Sequence, residues 1–215
     1  MDLIQFFIDL VLHLDQHLLQ LTHDYGVWVY GILFLIIFSE TGFVVTPFLP
    51  GDSLLFVAGA LAATGNLDVR VLTVSLVVAA VAGNQVNFTV GRWLGPKVLA
   101  SPTGARVLKP EYVARTQAFF ERHGGKTLVL ARFVPVVRTY APFIAGVGRM
   151  PVARFSLYNL VGAAAWICSL VWAGYFFGNL PFVRENLTAV VLGIVFVSLL
   201  PALIEVIRAR RVMGG

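Results

Sequence analysis

The chain has 215 residues, of which 58% are hydrophobic and only 13% are charged, and its formal net charge at neutral pH is +5. A soluble domain of this composition would lack the polar surface needed to cover it, so the composition predicts an integral membrane protein. The basic residues cluster between apolar runs instead of forming one basic face, which argues against nucleic-acid binding.

The first segment, residues 1–24, has apolar residues at helical spacing on one face and polar residues on the other. This pattern predicts an amphipathic helix that lies in the membrane interface. His13 and His17 are four residues apart, a spacing that can bind metal, but no further ligand cluster accompanies them. We therefore expect no metal site.

Residues 25–39 are uncharged and rich in aromatic side chains, and they predict a first membrane span that is short or tilted. Prolines and a glycine between Glu40 and Asp52 then prevent a continuous helix. An apolar stretch follows. We interpret residues 40–67 as a first re-entrant hairpin.

Residues 71–91 are long enough to cross the bilayer, and basic anchors follow them at once. Amides inside this span, among them Asn84 and Asn87, suggest interhelical hydrogen bonds, with substrate contact as the alternative. Residues 92–126 hold seven of the sixteen basic residues. They predict a cytoplasmic loop with an amphipathic surface helix.

Residues 127–148 are apolar apart from Arg132 and Arg138, but internal prolines and glycines interrupt them. We interpret this segment as a second re-entrant hairpin. The next span is predicted at residues 155–183, and Asn159 within it is open to the same two interpretations as the earlier amides.

A last span is predicted at residues 186–204, and the arginines of the tail, residues 208–215, predict a cytoplasmic C-terminus. A faint repeat links the two hairpins, since Phe-Val-Ala-Gly at 56–59 matches Phe-Ile-Ala-Gly at 143–146. The predicted fold is an all-α polytopic membrane domain over residues 1–215, with about four transmembrane helices and interfacial amphipathic helices. Its two opposed re-entrant hairpins would form an inverted repeat, as in many secondary transporters.

Four charged residues lie in or beside the broken elements: Glu40, Asp52, Arg132 and Arg138. Burying each alone at bilayer depth costs about 2.5–3.5 kcal/mol, so together they would cost on the order of 10 kcal/mol. We therefore expect them to pair or to share a hydrated cavity. The alternatives are a helix cap for Asp52, an interfacial carboxylate for Glu40 and a snorkelling side chain for Arg132. Two guanidinium groups together suit phosphate binding.

Several motifs closely resemble the signature of the DedA family of bacterial inner-membrane proteins. Residues 131–150 read Ala-Arg-Phe-Val-Pro-Val-Val-Arg-Thr-Tyr-Ala-Pro-Phe-Ile-Ala-Gly-Val-Gly-Arg-Met, and they are followed by Phe155, Tyr158, Asn159, Gly162 and Trp166. Upstream, Glu40 and the Pro-Gly-Asp-Ser element at 50–53 fit the same signature. The resemblance runs over nearly the whole chain.

This resemblance implies two opposed re-entrant hairpins, a relation to the eukaryotic VTT-domain lipid scramblases and a role in membrane homeostasis. Some family members are implicated in returning undecaprenyl phosphate, the cell-wall lipid carrier, across the cytoplasmic membrane, with the proton-motive force as the suggested drive. The family's essential acids fall on Glu40 and Asp52, and its essential arginines fall on Arg132 and Arg138. The burial argument selects the same four residues.

The expected function is therefore transport of a phosphorylated lipid in the bacterial inner membrane. Arg132 and Arg138 would bind the phosphate, and Glu40 and Asp52 would couple protons. The expected partners are a polyprenyl phosphate or phospholipid, protons and the membrane, with no nucleic acid and no cofactor. A homo-oligomer is left open.

Asn84, Asn87 and Asn159 are the expected supporting polar groups. Family members commonly have Asp and Tyr where this chain has Asn84 and Phe88, so a proton relay through that acid is not implied here. The alternative function is a proton-coupled exporter of small cations or drugs, which would use the same acids. No catalytic residue is expected, because a phosphatase needs a nucleophile or general base, and the four histidines lie outside the broken segments.

Overall fold

The computed structural model describes residues 14–43, 51–100 and 125–178, together with scattered positions between 180 and 196. Every longer element in these ranges is an α-helix, which confirms the all-α prediction for the described part of the chain. The helices are α1 (Leu14–Tyr25), α2 (Trp28–Gly42), α3 (Gly51–Ala63), α4 (Val69–Ala100), α5 (Lys126–Ala131), α6 (Pro135–Val147) and α7 (Val152–Phe177).

Two of the described helices are long and apolar enough to cross a membrane, namely Val69–Gly95 within α4 and Val152–Phe177. Two shorter apolar helices, α2 and α3, have 15 and 13 residues. At 1.5 Å per residue α2 rises about 22 Å, which is short of the roughly 30 Å hydrocarbon layer. Most of the last predicted span, the loop residues 101–124 and the tail lie outside the described residues, as do residues 1–13 of the interfacial helix.

Helix α4 is longer than the predicted span, because it continues nine residues past Gly91 to Ala100. A Cβ atom on Gly95 would lie only 3.1 Å from the side chain of Val147, so this extension packs closely against α6. The start of the segment predicted as a loop is therefore helical. Tertiary packing, which the local sequence does not reveal, holds it in place.

The second predicted hairpin, residues 127–148, consists of α5 and α6 joined by a turn at residues 132–134. Val134 is extended, with φ −114° and ψ 106°, because the residue before a proline is excluded from the helical region. Pro135 then occupies the first position of α6, where its missing N–H costs nothing. The helical hairpin is thus present, and its re-entrant placement in a bilayer stays a prediction.

The chain divides into two compact units. The first unit comprises Met1–Leu35, Phe48–Leu76 and Trp166–Gly215, and the second comprises Ile36–Pro47 and Val77–Ala165. Within the second unit the core is apolar, and Phe88 and Phe155 stack in it with ring centroids 4.1 Å apart.

In the first unit, α3 and α7 approach each other at the level of the main chain. A Cβ atom on Gly59 would overlap the carbonyl of Val171, and one on Gly174 would overlap the carbonyl of Phe56. Only glycine permits such close approach of two backbones. We call this contact the first clasp.

In the second unit, α6 and α4 make the corresponding contact. A Cβ atom on Gly146 would overlap the carbonyl of Phe88, and one on Gly91 would overlap the carbonyl of Phe143. We call this the second clasp. The sequence repeat at 56–59 and 143–146 therefore makes the same backbone contact in both units, each time with a glycine three residues after the contacted carbonyl.

The two repeated helices also end alike, with a residue in left-handed backbone conformation. After α3 this residue is Gly65, with φ +87°, and after α6 it is Arg149, with φ +55°. Glycine adopts this conformation freely, whereas for other L-residues it costs roughly 1–2 kcal/mol. Among the described residues Arg149 is the non-glycine residue with positive φ.

Candidate functional site

A buried ion pair joins α2 to α6. Glu40 lies near the end of α2, and Arg138 lies in the first turn of α6. The Arg138 Nη2 atom donates to Glu40 Oε1 at 2.5 Å, and the two side chains are only 10% and 4% exposed. The pair therefore forms a charge-assisted hydrogen bond that is shielded from solvent by the protein.

Arg132 lies in the turn between α5 and α6 and is 4% exposed, so the snorkelling alternative is wrong for this residue. Its Nη2 atom donates to Asn159 Oδ1 at 2.6 Å. The Asn159 amide donates in turn to the carbonyl of Val81, which fixes its orientation. A guanidinium from the hairpin is thus held by a neutral amide of α7.

Asn84 on α4 lies beside the same two side chains. In the orientation that satisfies its hydrogen bonds, its amide oxygen accepts from Arg132 and its nitrogen donates to the carbonyl of Thr41 at 3.2 Å. In this orientation the amide oxygens of Asn84 and Asn159 lie 3.2 Å apart, and both accept from Arg132 Nη2. Arg132 is therefore placed between two neutral amides.

Asn87, one turn further along α4, is 1% exposed. Its nitrogen donates to the carbonyl of Thr41 at 3.3 Å and to the carbonyl of Thr139 at 3.0 Å. These two carbonyls belong to the residues directly after Glu40 and Arg138. Asn87 thus connects the two backbone segments that carry the ion pair.

A small cavity lies within this group, and it has room for roughly one water molecule. It is lined by Asn84, Leu128, Arg132, Arg138, Ala141, Pro142, Phe155 and Asn159. We call Glu40, Asn84, Asn87, Arg132, Arg138 and Asn159 the polar cluster. All six belong to the second unit, so the structure brings together six of the seven residues that the sequence selects.

Asp52, the seventh selected residue, lies in the first unit as the second residue of α3. Asp52 therefore lies inside the first turn and not at the cap. A negative charge in the first turn is still stabilised by the helix dipole. Asp52 Oδ1 accepts a hydrogen bond from Trp166 Nε1 at 3.0 Å.

Sequence reasoning assigned no role to Trp166, although a buried indole N–H needs an acceptor. It also missed the main-chain acceptors at Thr41 and Thr139, which no side-chain pattern reveals. Within the described residues no group of three or more His, Cys, Asp or Glu side chains could hold a metal ion.

Comparison with known proteins identifies the family. The model of the VTT domain matches residues 49–176, which include the polar cluster except Glu40. The chain is 54% identical over 213 residues to Protein DedA of Escherichia coli strain K12, covering 98% of this chain and 97% of that protein.

More distant relatives extend the match. An uncharacterized membrane protein of Mycobacterium leprae is 48% identical over 170 residues, covering 79% of this chain and 76% of that protein. Inner membrane protein YghB of Escherichia coli strain K12 is 36% identical over 158 residues, covering 74% and 72%. No solved structure gives a significant match. The chain therefore belongs to the DedA family of VTT-domain membrane proteins.

Proposed function

We propose that the protein transports the phosphate headgroup of a lipid carrier, of the class of undecaprenyl phosphate, across the cytoplasmic membrane in exchange with protons. The observation that carries this proposal is the buried Glu40–Arg138 ion pair, which borders the same cavity as Arg132. Two guanidinium groups and one exchangeable carboxylate partner are the groups that proton-coupled phosphate handling requires.

The polar cluster favours an anion. It holds two guanidinium groups, those of Arg132 and Arg138, which line one cavity. A guanidinium presents a planar fork of N–H donors that matches phosphate oxygens. A small cation has no use for such a fork of donors, so the pair of arginines favours the phosphate over the alternative of a small-cation exporter.

The closed state of the cavity suggests how protons would couple to transport. One water molecule fits, so a phosphate headgroup enters only if the ion pair opens. Arg138 would then turn to the phosphate, and Glu40 would lose this ion-pair partner while it stays buried. A charge there is costly, so Glu40 would take up a proton.

Asp52 would be the second coupling acid, held by Trp166 in the first unit. We place the protein in the inner membrane, with the hairpins at residues 40–67 and 127–148 re-entrant from opposite sides and the C-terminus in the cytoplasm. The lipid tail would stay in the bilayer while the headgroup passes. Transport of this kind needs no chemistry on the substrate, so we propose no enzymatic activity.

The test is flux of labelled undecaprenyl phosphate in proteoliposomes that contain the purified protein. Arg138→Lys keeps the charge and loses the planar fork, so we expect flux to fall roughly tenfold to a hundredfold, the equivalent of one charge-assisted hydrogen bond. The matched control is Arg70→Lys, because Arg70 is exposed at the start of α4.

Glu40→Gln imitates the protonated acid, so flux in this variant should no longer respond to a pH gradient. Unchanged flux in Arg138→Ala would contradict the phosphate-binding role. Export of a cationic dye that survives Arg138→Lys, without any lipid flux in the wild type, would favour the exporter instead.

A further inference from the structure

The connection between α6 and α7 carries an arginine where the corresponding connection after α3 carries a glycine. Arg149 adopts φ +55°, and its counterpart Gly65 adopts φ +87°. The chain thus has a strained arginine at a position that glycine would occupy freely, and strained residues cluster at functional sites. The Arg149 side chain is exposed.

A second arginine is fixed beside this connection. Arg92 on α4 donates from Nη1 to the carbonyl of Met150 at 3.0 Å, directly after Arg149 in the chain. Arg154, in the first turn of α7, is also exposed. We call Arg92, Arg149 and Arg154 the basic rim.

No carboxylate balances this rim within the described stretches 77–100 and 125–165, since neither contains an Asp or Glu. Among its described residues the second unit has one acid, Glu40. This side chain is 4% exposed and is bound to Arg138. The exposed charged side chains in the described part of the second unit are therefore all positive.

The aromatic and apolar side chains near the rim suit a position at the level of lipid headgroups. Trp93, next to Arg92, is 65% exposed, and exposed tryptophans are typical of the membrane–water interface. Beyond Arg154, Leu157 and Val161 lie four residues apart on α7 and are 59% and 49% exposed. They form an apolar strip about one to two helical turns after Arg154.

We propose that the basic rim binds the phosphate headgroup of an anionic phospholipid, with an acyl chain along Leu157 and Val161. Arginine forks suit the phosphate, and the apolar strip suits the chain. The site is separate from the polar cluster and does not depend on transport.

The experiment uses the full chain in nanodiscs of phosphatidylcholine alone or with phosphatidylglycerol, and it measures retained lipid by native mass spectrometry together with Tm. Arg149→Gly and Arg149→Asn both accommodate the left-handed backbone, so we expect them to keep their Tm in phosphatidylcholine. Binding of phosphatidylglycerol should weaken about tenfold, as expected for one lost charge-assisted contact. Arg92→Gln should weaken it as well.

The control is Arg70→Gln, which removes an exposed arginine from the start of α4 in the first unit. It should leave phosphatidylglycerol binding unchanged. Equal losses in Arg70→Gln and Arg149→Gly would show bulk attraction of a cationic protein to an anionic surface and overturn the site. Full binding in both Arg149 variants would overturn it too.

Discussion

Two neutral amides contact the Arg132 guanidinium. Its Nη2 atom donates to Asn159 Oδ1, which lies 27 residues away in sequence, and Asn159 is itself fixed by the carbonyl of Val81. The amide oxygen of Asn84 accepts from the same nitrogen. These amides fix the orientation of the guanidinium within the polar cluster.

We predict that Asn159→Ala lowers the free energy of unfolding by about 1.5–3 kcal/mol, the usual contribution of a hydrogen bond to a charged group. The measurement is denaturant or thermal unfolding in detergent, compared with Arg132→Leu and the double variant. The two substitutions should be strongly non-additive, because each removes the same contact. Additive losses would show that Asn159 acts elsewhere.

At the residue scale, the cost of burying charge selects Glu40, Asp52, Arg132 and Arg138 from sequence alone, and the structure places all of them except Asp52 in one cluster. The pairing itself was not predictable. Arg138 and Glu40 are 98 residues apart, and Asp52 and Trp166 are 114 apart. Only the fold decides which acid meets which donor.

At the scale of helices, the two clasps make the sharpest prediction. In Gly59→Ala and Gly146→Ala the new methyl group would meet a backbone carbonyl, which cannot move aside as a side chain can. We expect each to lower the free energy of unfolding by at least the 1–3 kcal/mol typical of overpacking.

The matched control is Gly31→Ala in α2, since a Cβ atom there meets nothing within 4 Å. It should stabilise the protein by up to about 1 kcal/mol, because alanine is the better helix former. Thermal unfolding of the three variants in one detergent compares them directly. Equal behaviour of all three would mean that the clasps do not hold the helices together.

Helix α4 begins with a charged cap that makes stability depend on pH. The Asp68 carboxylate accepts hydrogen bonds from the backbone N–H groups of Val71 and Arg70, at 3.1 and 2.8 Å, and these bonds lower the pKa of Asp68. A lowered pKa means that the folded protein prefers the carboxylate. Its contribution is present above the unfolded-state pKa and is lost as the pH falls through the lower folded-state value.

Asp68→Asn keeps a cap acceptor without the charge. We therefore predict that its Tm falls less than that of the wild type when the pH is lowered from neutral to about 3. Asp68→Ala should have a lower Tm than the wild type at neutral pH. Identical acid profiles for wild type and Asp68→Asn would exclude this role.

Among the helices, proline predicted the position of the break in the second hairpin correctly, whereas the predicted end of the long span was too early. Pro135 locates the break between α5 and α6 because it fixes the residue before it as extended. The continuation of α4 past Gly91 depends instead on packing against α6, where Gly95 meets Val147. Local sequence carries no signal for such a contact.

For the whole molecule, composition and motif predicted the membrane class, the helical fold and the family. The repeat was visible as four residues in each half, but its meaning as a backbone contact needed the structure. The helix that carries each copy packs against a long helix that contributes a glycine of its own, Gly174 in the first clasp and Gly91 in the second.

The proposed inverted arrangement predicts opposite accessibility for Thr64 and Thr22. In a chain with Cys168 replaced by Ala, a cysteine at the exposed Thr64 should react with a membrane-impermeant maleimide from the periplasmic side. A cysteine at Thr22 should react only after the membrane is permeabilised. Labelling of both cysteines from the same side would contradict this topology. The control is the cysteine-free chain, which should not be labelled.

Each clasp takes one helix from either side of the segment that joins α4 to α5. The N-terminal half supplies α3 to one contact and α4 to the other, while the C-terminal half supplies their partners α7 and α6. A gene cut in two at that segment would encode fragments that each lack both counterparts. We expect the two fragments to associate as a heterodimer when they are produced together. Either fragment produced alone would expose the glycine-lined helix surfaces that the other fragment covers.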